Sequence, residues 1–392
     1  MNDLKLLIIC SELWPIRTNN ANLICQLIGH LKQRHEVEVL SVSDHSFLSE
    51  DFDASSFPVK IHSTGDFQIS GFRNYRNRLL SSFTDRGGLD DDSMARRLAF
   101  CCKQLRAGFP FDAVLVTVEP YAAAAALLYL KREIPCCVYL MDPTIYRDRP
   151  HSPIHYRAKT LGRILERARC VATTPFIRQA LSSKGFEQYD KKILPVGFPL
   201  ISPHAFASNP ESGGKIRLLF CGWLYSGIRS PKYFLEILSR LDERFVVTFM
   251  GRECERLTER FDIHTGAELI TLPQQPYEIA LQAMAEADIM INIGNSVPVH
   301  MPSKTLEYIN TGKPFVNFYK LKDCPTLYYT KRYPLCFNMS EDDPDLDRAA
   351  ARFIDFCVSS KGKTVDRGLI EREFADCTPT YIANIILDAL RS

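Results

Sequence analysis

The chain has 392 residues, of which 46% are hydrophobic and 24% charged, with a formal net charge of +2. That length exceeds one ordinary core and indicates two domains of roughly 150–200 residues each. The near-neutral balance removes any global case for a nucleic-acid partner, and 13 cysteines without a single C-x-x-C pair speak against a zinc knuckle or a thioredoxin-like site.

The start, MNDLKLLIICSE, carries no charged leader with a long apolar core, and no stretch approaches the ~18 apolar residues of a membrane span. Together with the odd cysteine count, this predicts a cytoplasmic protein with reduced, buried thiols. Leu4 to Cys10 reads as a strand, Ser11 to Asn20 as a bulky polar loop containing Glu12 and Trp14, Ala21 to Gln33 as a helix and Val37 to Val42 as a second strand. This β-α-β opening belongs to a doubly wound domain but lacks the G-x-G-x-x-G fingerprint, which disfavours a classical nicotinamide or flavin site. Asp53 to Asp66 is irregular. Gly71 to Phe83 interleaves Arg73, Arg76 and Arg78 with Phe72, Tyr75, Leu79, Leu80 and Phe83. As a helix it suits either an anionic membrane surface or a solvated face on a core-packed element. Asp85 to Asp92 reads as a polar turn, and its Asp90–Asp92 triplet as solvated rather than metal-binding.

Ser93 to Leu105 is predicted helical, Ala113 to Val118 a strand, Tyr121 to Arg132 a helix and Cys136 to Leu140 a strand. Glu119 and Asp142 follow the carboxyl ends of those two strands, where a general base or an acceptor for a sugar hydroxyl would sit; each could equally cap a neighbouring turn or helix. Tyr156 to Arg169 is a basic helix, Cys170 to Thr173 a strand, and Pro175 opens a helix over Phe176 to Ser183. Ile193 to Pro199 closes this half. The best linker is Pro203 to Gly214, which separates an N-terminal domain, residues 1–202, from a second over 215–376.

The pattern restarts with the strand Ile216 to Cys221. Gly222 to Arg229 is a loop with two glycines, and Ser230-Pro231 opens a helix expected to run through Leu241, with Ser230 as cap. Gly222, Gly227, Arg229, Ser230 and Lys232 make a candidate anion cradle: glycine admits close backbone approach, the helix start offers amides, and arginine offers a fork of donors. Phe245 to Met250 and Leu269 to Leu272 are strands, the latter ending in Pro273, and Pro276 to Ala287 is a helix. In DIMINIGNSVPVHMPSKTLEYINTGKPFVNF, Asp288 to Ile293 is a buried strand, and Asn295 to Pro302 holds two prolines and cannot be regular throughout. A short helix follows from Ser303 to Thr311-Gly312, then a strand from Phe315 to Phe318. Ser303, Lys304 and Glu307 lie at that helix start: amides and a lysine suit a phosphate, and a carboxylate one turn on suits paired ribose hydroxyls. The same residues also read as a capped surface helix with a solvated lysine. Leu335 to Phe337, Asp345 to Val358, Asp366 to Phe374 and Thr378 to Leu390 complete the chain as a strand and three helices.

GWLYSGIRSPKY, ADIMINIG and above all MPSKTLEYINTGKPFV resemble the nucleotide-sugar glycosyltransferases of the GT-B fold, in particular the family four-like group that builds bacterial surface polysaccharides. The opening SELWPIRTNNANLICQLIGHLKQRHEVEVLS is similar to that group's first β-loop-α-β. The resemblance covers almost the whole chain. It implies an α/β protein of two Rossmann-like doubly wound domains facing a cleft and a nucleoside-diphosphate sugar as co-substrate, with no other cofactor; the lack of a D-x-D triplet apart from Asp90–Asp92 predicts no essential catalytic metal. A glycan or lipid-linked acceptor would be its second partner, at the inner face of a membrane. By resemblance, Gly222 with Arg229 or Lys232 holds the donor diphosphate, with Lys304 adding charge beside it. Glu307 binds the ribose, and the backbone at Leu272 and Pro273 contacts the base. The final residues, 377–392, would cross back to the first domain.

The chain departs from that pattern at Val299, eight positions before Glu307, where retaining members usually carry a glutamate. An inverting course would need a base in the first domain, with Glu119, Asp142 or Glu12 as candidates; a retaining course would rely on front-face delivery assisted by the leaving phosphate. The missing acid also leaves open a catalytically inactive, nucleotide-sugar-binding or scaffold protein. A sugar-nucleotide epimerase of similar shape would need a dense acid and histidine set that the scattered histidines do not offer.

Overall fold

A computed structural model describes residues 3–10, 13, 19–41, 59–64, 86–118, 121–141, 154–202, 214–224, 227–259, 261 and 264–392. The chain divides into two units, Met1–Pro199 with Asp376–Ser392, and Leu200–Ala375. The first is built on a seven-stranded sheet of β1 (Lys5–Cys10), β2 (Glu36–Ser41), β3 (Lys60–Ser63), β4 (Ala113–Thr117), β5 (Cys136–Leu140), β6 (Cys170–Thr173) and β7 (Ile193–Pro195) in the order β3-β2-β1-β4-β5-β6-β7. The second holds a six-stranded sheet of β8 (Ile216–Cys221), β9 (Phe245–Met250), β10 (Glu268–Leu272), β11 (Ile289–Ile293), β12 (Phe315–Tyr319) and β13 (Cys336–Ser340) in the order β10-β9-β8-β11-β12-β13. All these pairings are parallel.

Parallel sheets covered by helices on both faces need strands that are apolar on both sides. That is why AVLVT, CCVYL and IMINI, the sequences of β4, β5 and β11, are buried at every position. In each unit the strand order reverses beside its first strand, between β1 and β4 and between β8 and β11. Loops leaving the carboxyl ends of such a pair diverge to opposite faces and open a crevice. On one face of the second sheet Phe234 packs on Phe249, Phe318 and Phe353 at centroid separations of 5.6, 5.1 and 6.0 Å. Lys313 is buried at the end of the helix Tyr277–Glu286, where its ammonium donates to the carbonyls of Ala285 and Ala287. It thereby satisfies carbonyls that a helix end leaves without intrahelical partners.

The last helix, Pro379–Arg391, packs in the first unit against the helix Asn19–Leu31 and against β5 and β6, burying Ile382, Ile386 and Leu390. The chain leaves this unit after Pro199 and re-enters it at Asp376, and Gly197 ties the two passages together. Its N–H donates to the Asp376 carbonyl at 2.9 Å, and its own carbonyl accepts from the buried Tyr139 hydroxyl at 2.9 Å.

Several elements differ from the sequence reading. Gly87 to Asp92, expected in a turn, lie in the helix Arg86–Gly108. Two glycines cost roughly 1 kcal/mol each in a helix, but Leu98, Cys101, Cys102 and Leu105 anchor its apolar face, and each residue added to an anchored helix gains a hydrogen bond. The helix begun near Ser230 is only Lys232–Leu238, and Ser230 does not cap it; its hydroxyl accepts from Lys232 N–H across a short turn. The helix expected from Tyr121 to Arg132 tightens into a 3-10 turn over Ala126–Tyr129. Strand β3 and the short helices Cys254–Glu259 and Pro325–Thr330 went unread, being too brief to show a period. The basic segment Gly71 to Phe83 and the linker over 203–213 lie outside the described residues. Among the described residues no helix is long and apolar enough to cross a membrane. None of the 13 cysteines, all of them among the described residues, is in a disulfide.

A Cβ added at Gly197 would lie 2.2 Å from the Cys377 Sγ and 3.3 Å from the Asp376 carbonyl oxygen. We predict that Gly197→Ala destabilises the protein by about 1–3 kcal/mol, the usual cost of overpacking. Urea denaturation should show part of that loss restored by Cys377→Ala in the same chain, and no recovery would refute the clash.

Candidate functional site

The loops that follow β8 and β11 carry most of the polar residues singled out in the sequence. Gly222 directly follows β8, and its N–H donates to the Met250 carbonyl at 2.9 Å. Gly251, after β9, has φ 137°, and a Cβ there would stand 1.9 Å from the Gly222 carbonyl oxygen. The two backbones therefore touch in a way only glycine permits. Gly251 N–H in turn donates to the Leu272 carbonyl at 3.0 Å, drawing the end of β10 to the same edge.

Arg229 crosses from the first loop to the second. It is buried, its Nε donates to Asn295 Oδ1 at 3.0 Å, and one terminal nitrogen donates to the Trp223 carbonyl at 3.2 Å. Asn295 is 1% exposed, and its Nδ2 meets His300 Nδ1 at 3.1 Å and the His300 carbonyl at 2.8 Å. A guanidinium only donates, so Arg229 fixes which way the Asn295 amide points. Val299 in the same loop has φ 67°, a left-handed backbone that is unfavourable for a β-branched residue.

The helix Lys304–Thr311 is buried along almost its whole length and ends at Gly312, φ 75°, in a left-handed cap. It is not the surface helix with a solvated lysine that its sequence also allowed. Lys304 Nζ sits 2.6 Å from Glu307 Oε2, with the two side chains 16% and 7% exposed. Burial opposes the charge on Lys304, but the neighbouring Glu307 carboxylate more than offsets it and holds the ammonium well above the usual lysine range. Ser303 does not cap the helix; its Oγ is buried with no hydrogen-bond partner. A buried hydroxyl left without a partner costs about 1–3 kcal/mol. Tyr308, one turn on, clamps the helix to β8: its hydroxyl accepts from Cys221 N–H at 3.0 Å and donates to the Cys221 carbonyl at 3.2 Å. The residue clamped is the one before Gly222, so the helix start and the glycine loop are held as one unit.

The sequence-predicted residues divide accordingly. Gly222 and Arg229 lie in the loop after β8, and Ser303, Lys304 and Glu307 at the helix start to which Tyr308 ties that loop. Leu272 joins through Gly251, with Pro273 exposed just beyond it. Lys232 is separate from this network: its side chain is 69% exposed and its ammonium lies 3.9 Å from Glu236. Glu12, Glu119 and Asp142 follow β1, β4 and β5 and lie outside the described residues. Sequence reasoning missed Asn295, Tyr308 and Gly251 as parts of the site. It also missed Arg252, whose guanidinium lies 4.6 Å from the centroid of the exposed Trp223 ring. Gly251 could have been suspected from a glycine directly after a strand; the others act through partners distant in sequence. Among the described residues no group of three His, Cys, Asp or Glu is placed to hold a metal ion.

No protein-family model and no curated protein matches the sequence. Solved structures do match. A glycosyltransferase from Rickettsia africae is 13% identical, with 100% of this chain and 98% of that one covered and a TM-score of 0.67. HepE of Anabaena, in complex with UDP-glucose, is 13% identical over 99% of each chain with a TM-score of 0.63. The lipopolysaccharide outer core galactosyltransferase WaaB is 11% identical over 99% of each chain with a TM-score of 0.60. The fold is GT-B. At these identities the likeness is one of fold, and it covers both units of this GT-B chain.

Glu341 stands at the carboxyl end of β13 in the same sheet, its N–H bonded to the Tyr319 carbonyl at 2.9 Å. Burial pushes its carboxyl up from the ordinary 4.5 to about 7. Between those values the folded protein keeps a proton that the unfolded chain has released, so this group lowers stability as pH rises through that window. We predict that urea midpoints of the Glu341→Gln variant fall less between pH 4.5 and pH 7 than those of the parent; parallel curves would rule this out. Tyr308→Phe should cost about 1–2 kcal/mol in the same assay, from two lost bonds to buried backbone groups; an unchanged midpoint would show that the clamp contributes nothing.

Proposed function

We propose that this protein transfers a sugar from a nucleoside-diphosphate sugar to a hydroxyl of a glycan or lipid-linked acceptor, in the synthesis of cell-surface polysaccharide. The observation that carries the reading is the buried Lys304–Glu307 pair beside the unpartnered Ser303 Oγ, at a helix start facing the carboxyl edge of a parallel sheet. HepE, which shares the fold, is known in complex with UDP-glucose.

In this reading the leaving diphosphate gains negative charge as the glycosidic bond breaks. Arg229, fixed by Asn295, and Lys304, fixed by Glu307, are preorganised cations, and fixed charges in a site shielded from water stabilise developing charge without reorganising. They supply positive charge that a metal ion would otherwise bring, and we propose a metal-independent transferase. Ser303 Oγ and the amides of the first helical turn complete the anion site. One Glu307 oxygen is held by Lys304, and the other is the ribose acceptor. The backbone at Leu272 and Pro273 faces the base. The basic segment with Arg73, Arg76 and Arg78 is our candidate for contact with an anionic membrane surface carrying a lipid-linked acceptor.

One observation favours a second reading, binding without transfer: Val299 occupies the position of the usual glutamate. Titration with a panel of nucleotide sugars, followed by assay for slow donor hydrolysis, separates the two. Saturable binding with hydrolysis supports the transferase, binding without turnover supports the second reading, and no binding by any donor refutes both. Glu307→Gln should weaken the bound donor about tenfold, ~1.4 kcal/mol, with circular dichroism unchanged; an equal affinity would remove Glu307 from the ribose role.

A further inference from the structure

Three asparagines stand side by side within the second sheet. Asn292 on β11 is in register with Asn317 on β12, which is in register with Asn338 on β13. Their neighbours along the strands, Ile291, Ile293, Val316, Phe318 and Met339, belong to the core on the other face. The asparagine face is covered by the helices Lys304–Thr311 and Pro325–Thr330.

The amides form one directed chain. Asn292 Nδ2 donates to Asn317 Oδ1 at 2.7 Å, and Asn317 Nδ2 donates to Asn338 Oδ1 at 2.8 Å. A hydroxyl closes each end: Thr330 Oγ1 donates to Asn338 Oδ1 at 2.7 Å, and Thr305 Oγ1 donates to Asn292 Oδ1 at 3.4 Å. Asn292, Asn317, Thr305 and Thr330 are all buried. The strand spacing of roughly 4.8 Å lets one side-chain amide bridge to the next, as in stacked amide ladders.

Stability does not account for this arrangement. Asparagine is depleted in strands, and a fully apolar replacement of a buried hydrogen-bonded set is often neutral. What apolar side chains cannot supply is direction. The ladder presents a carbonyl oxygen at one fixed point, and Thr305, in the first turn of the helix beside Lys304, is the residue that meets it. Tyr308 bonds that helix to the backbone of β8, and the longer Thr305 contact joins it to β11.

We propose that the Asn292–Asn317–Asn338 ladder is a positioning network that, through Thr305, orients Ser303, Lys304 and Glu307 toward the bound diphosphate and ribose. This rests on the donor-site reading given above. Thr305→Val, which keeps shape and loses the hydroxyl, should raise the Kd for the nucleoside diphosphate at least fivefold, with UDP, ADP and GDP tried in turn. Thr305→Ser should restore it. Thr330→Val removes the matching bond at the far end and should change the Kd less than twofold, although it lowers the melting temperature. A second readout needs no ligand: amide hydrogen exchange at Lys304–Glu307 should accelerate in Thr305→Val and not in Thr330→Val. Unchanged exchange at Lys304–Glu307 in Thr305→Val would overturn the positioning role, as would unchanged affinity in a parent that binds. A parent that binds no nucleoside diphosphate would instead overturn the donor-site reading, and the exchange result would still judge the contact between Thr305 and the ladder.

Discussion

A lysine ammonium and a glutamate carboxylate largely withdrawn from water at one helix start set the terms for the rest of the second unit. Taking such ions out of water costs several kcal/mol each, and their mutual attraction offsets that cost only when the geometry is held. Glu307 lies one turn from Lys304, which brings the charges together, but the helix itself must be fixed against the sheet. Tyr308 does so at β8 through two bonds to the Cys221 backbone, and Thr305 adds a longer contact to Asn292 on β11. A buried pair is a poor way to add stability, and this one stands beside the point where the strand order reverses.

The neighbouring loops obey the same logic with different means. Gly222 and Gly251 bring two strand ends into backbone contact, leaving no room for a side chain at Gly251. Arg229 then spans from one loop to the other, and because it can only donate, it orients Asn295, which in turn holds His300. Cations, amides and one orphaned hydroxyl thus come to the same sheet edge with their orientations already determined. Preorganisation of this kind matters most for a ligand whose charge grows during reaction, since nothing needs to move to meet it.

Much of the architecture was legible from residue patterns. Continuous apolar runs such as LLIIC and IMINI mark parallel strands buried on both faces, and the restart of the pattern at Ile216 marks a second unit. Ser303, Lys304 and Glu307 were legible because a helix start is a local event: its flanking proline, its charges and its terminal glycine lie within a dozen residues. The same locality misled at Ser230, where a Ser-Pro pair looked like a cap and forms only a turn, and at Gly87 to Asp92, which read as part of a polar turn and lie in a helix.

The sequence by itself determined the class of elements and their order, two parallel α/β units with glycine, arginine and lysine gathered after the first and fourth strands of the second, because these depend on periodicity and on neighbours close in the chain. Only the tertiary structure decided that Lys304 is buried rather than solvated, that Lys232 stands apart with Glu236, and that Tyr308, Asn295 and Gly251 belong with the site. It also decided that asparagines 292, 317 and 338, some 20 residues apart from one to the next, form one line. Those outcomes depend on which strands become neighbours and in what register. That choice is made by packing across the whole sheet, and no stretch of sequence carries it alone.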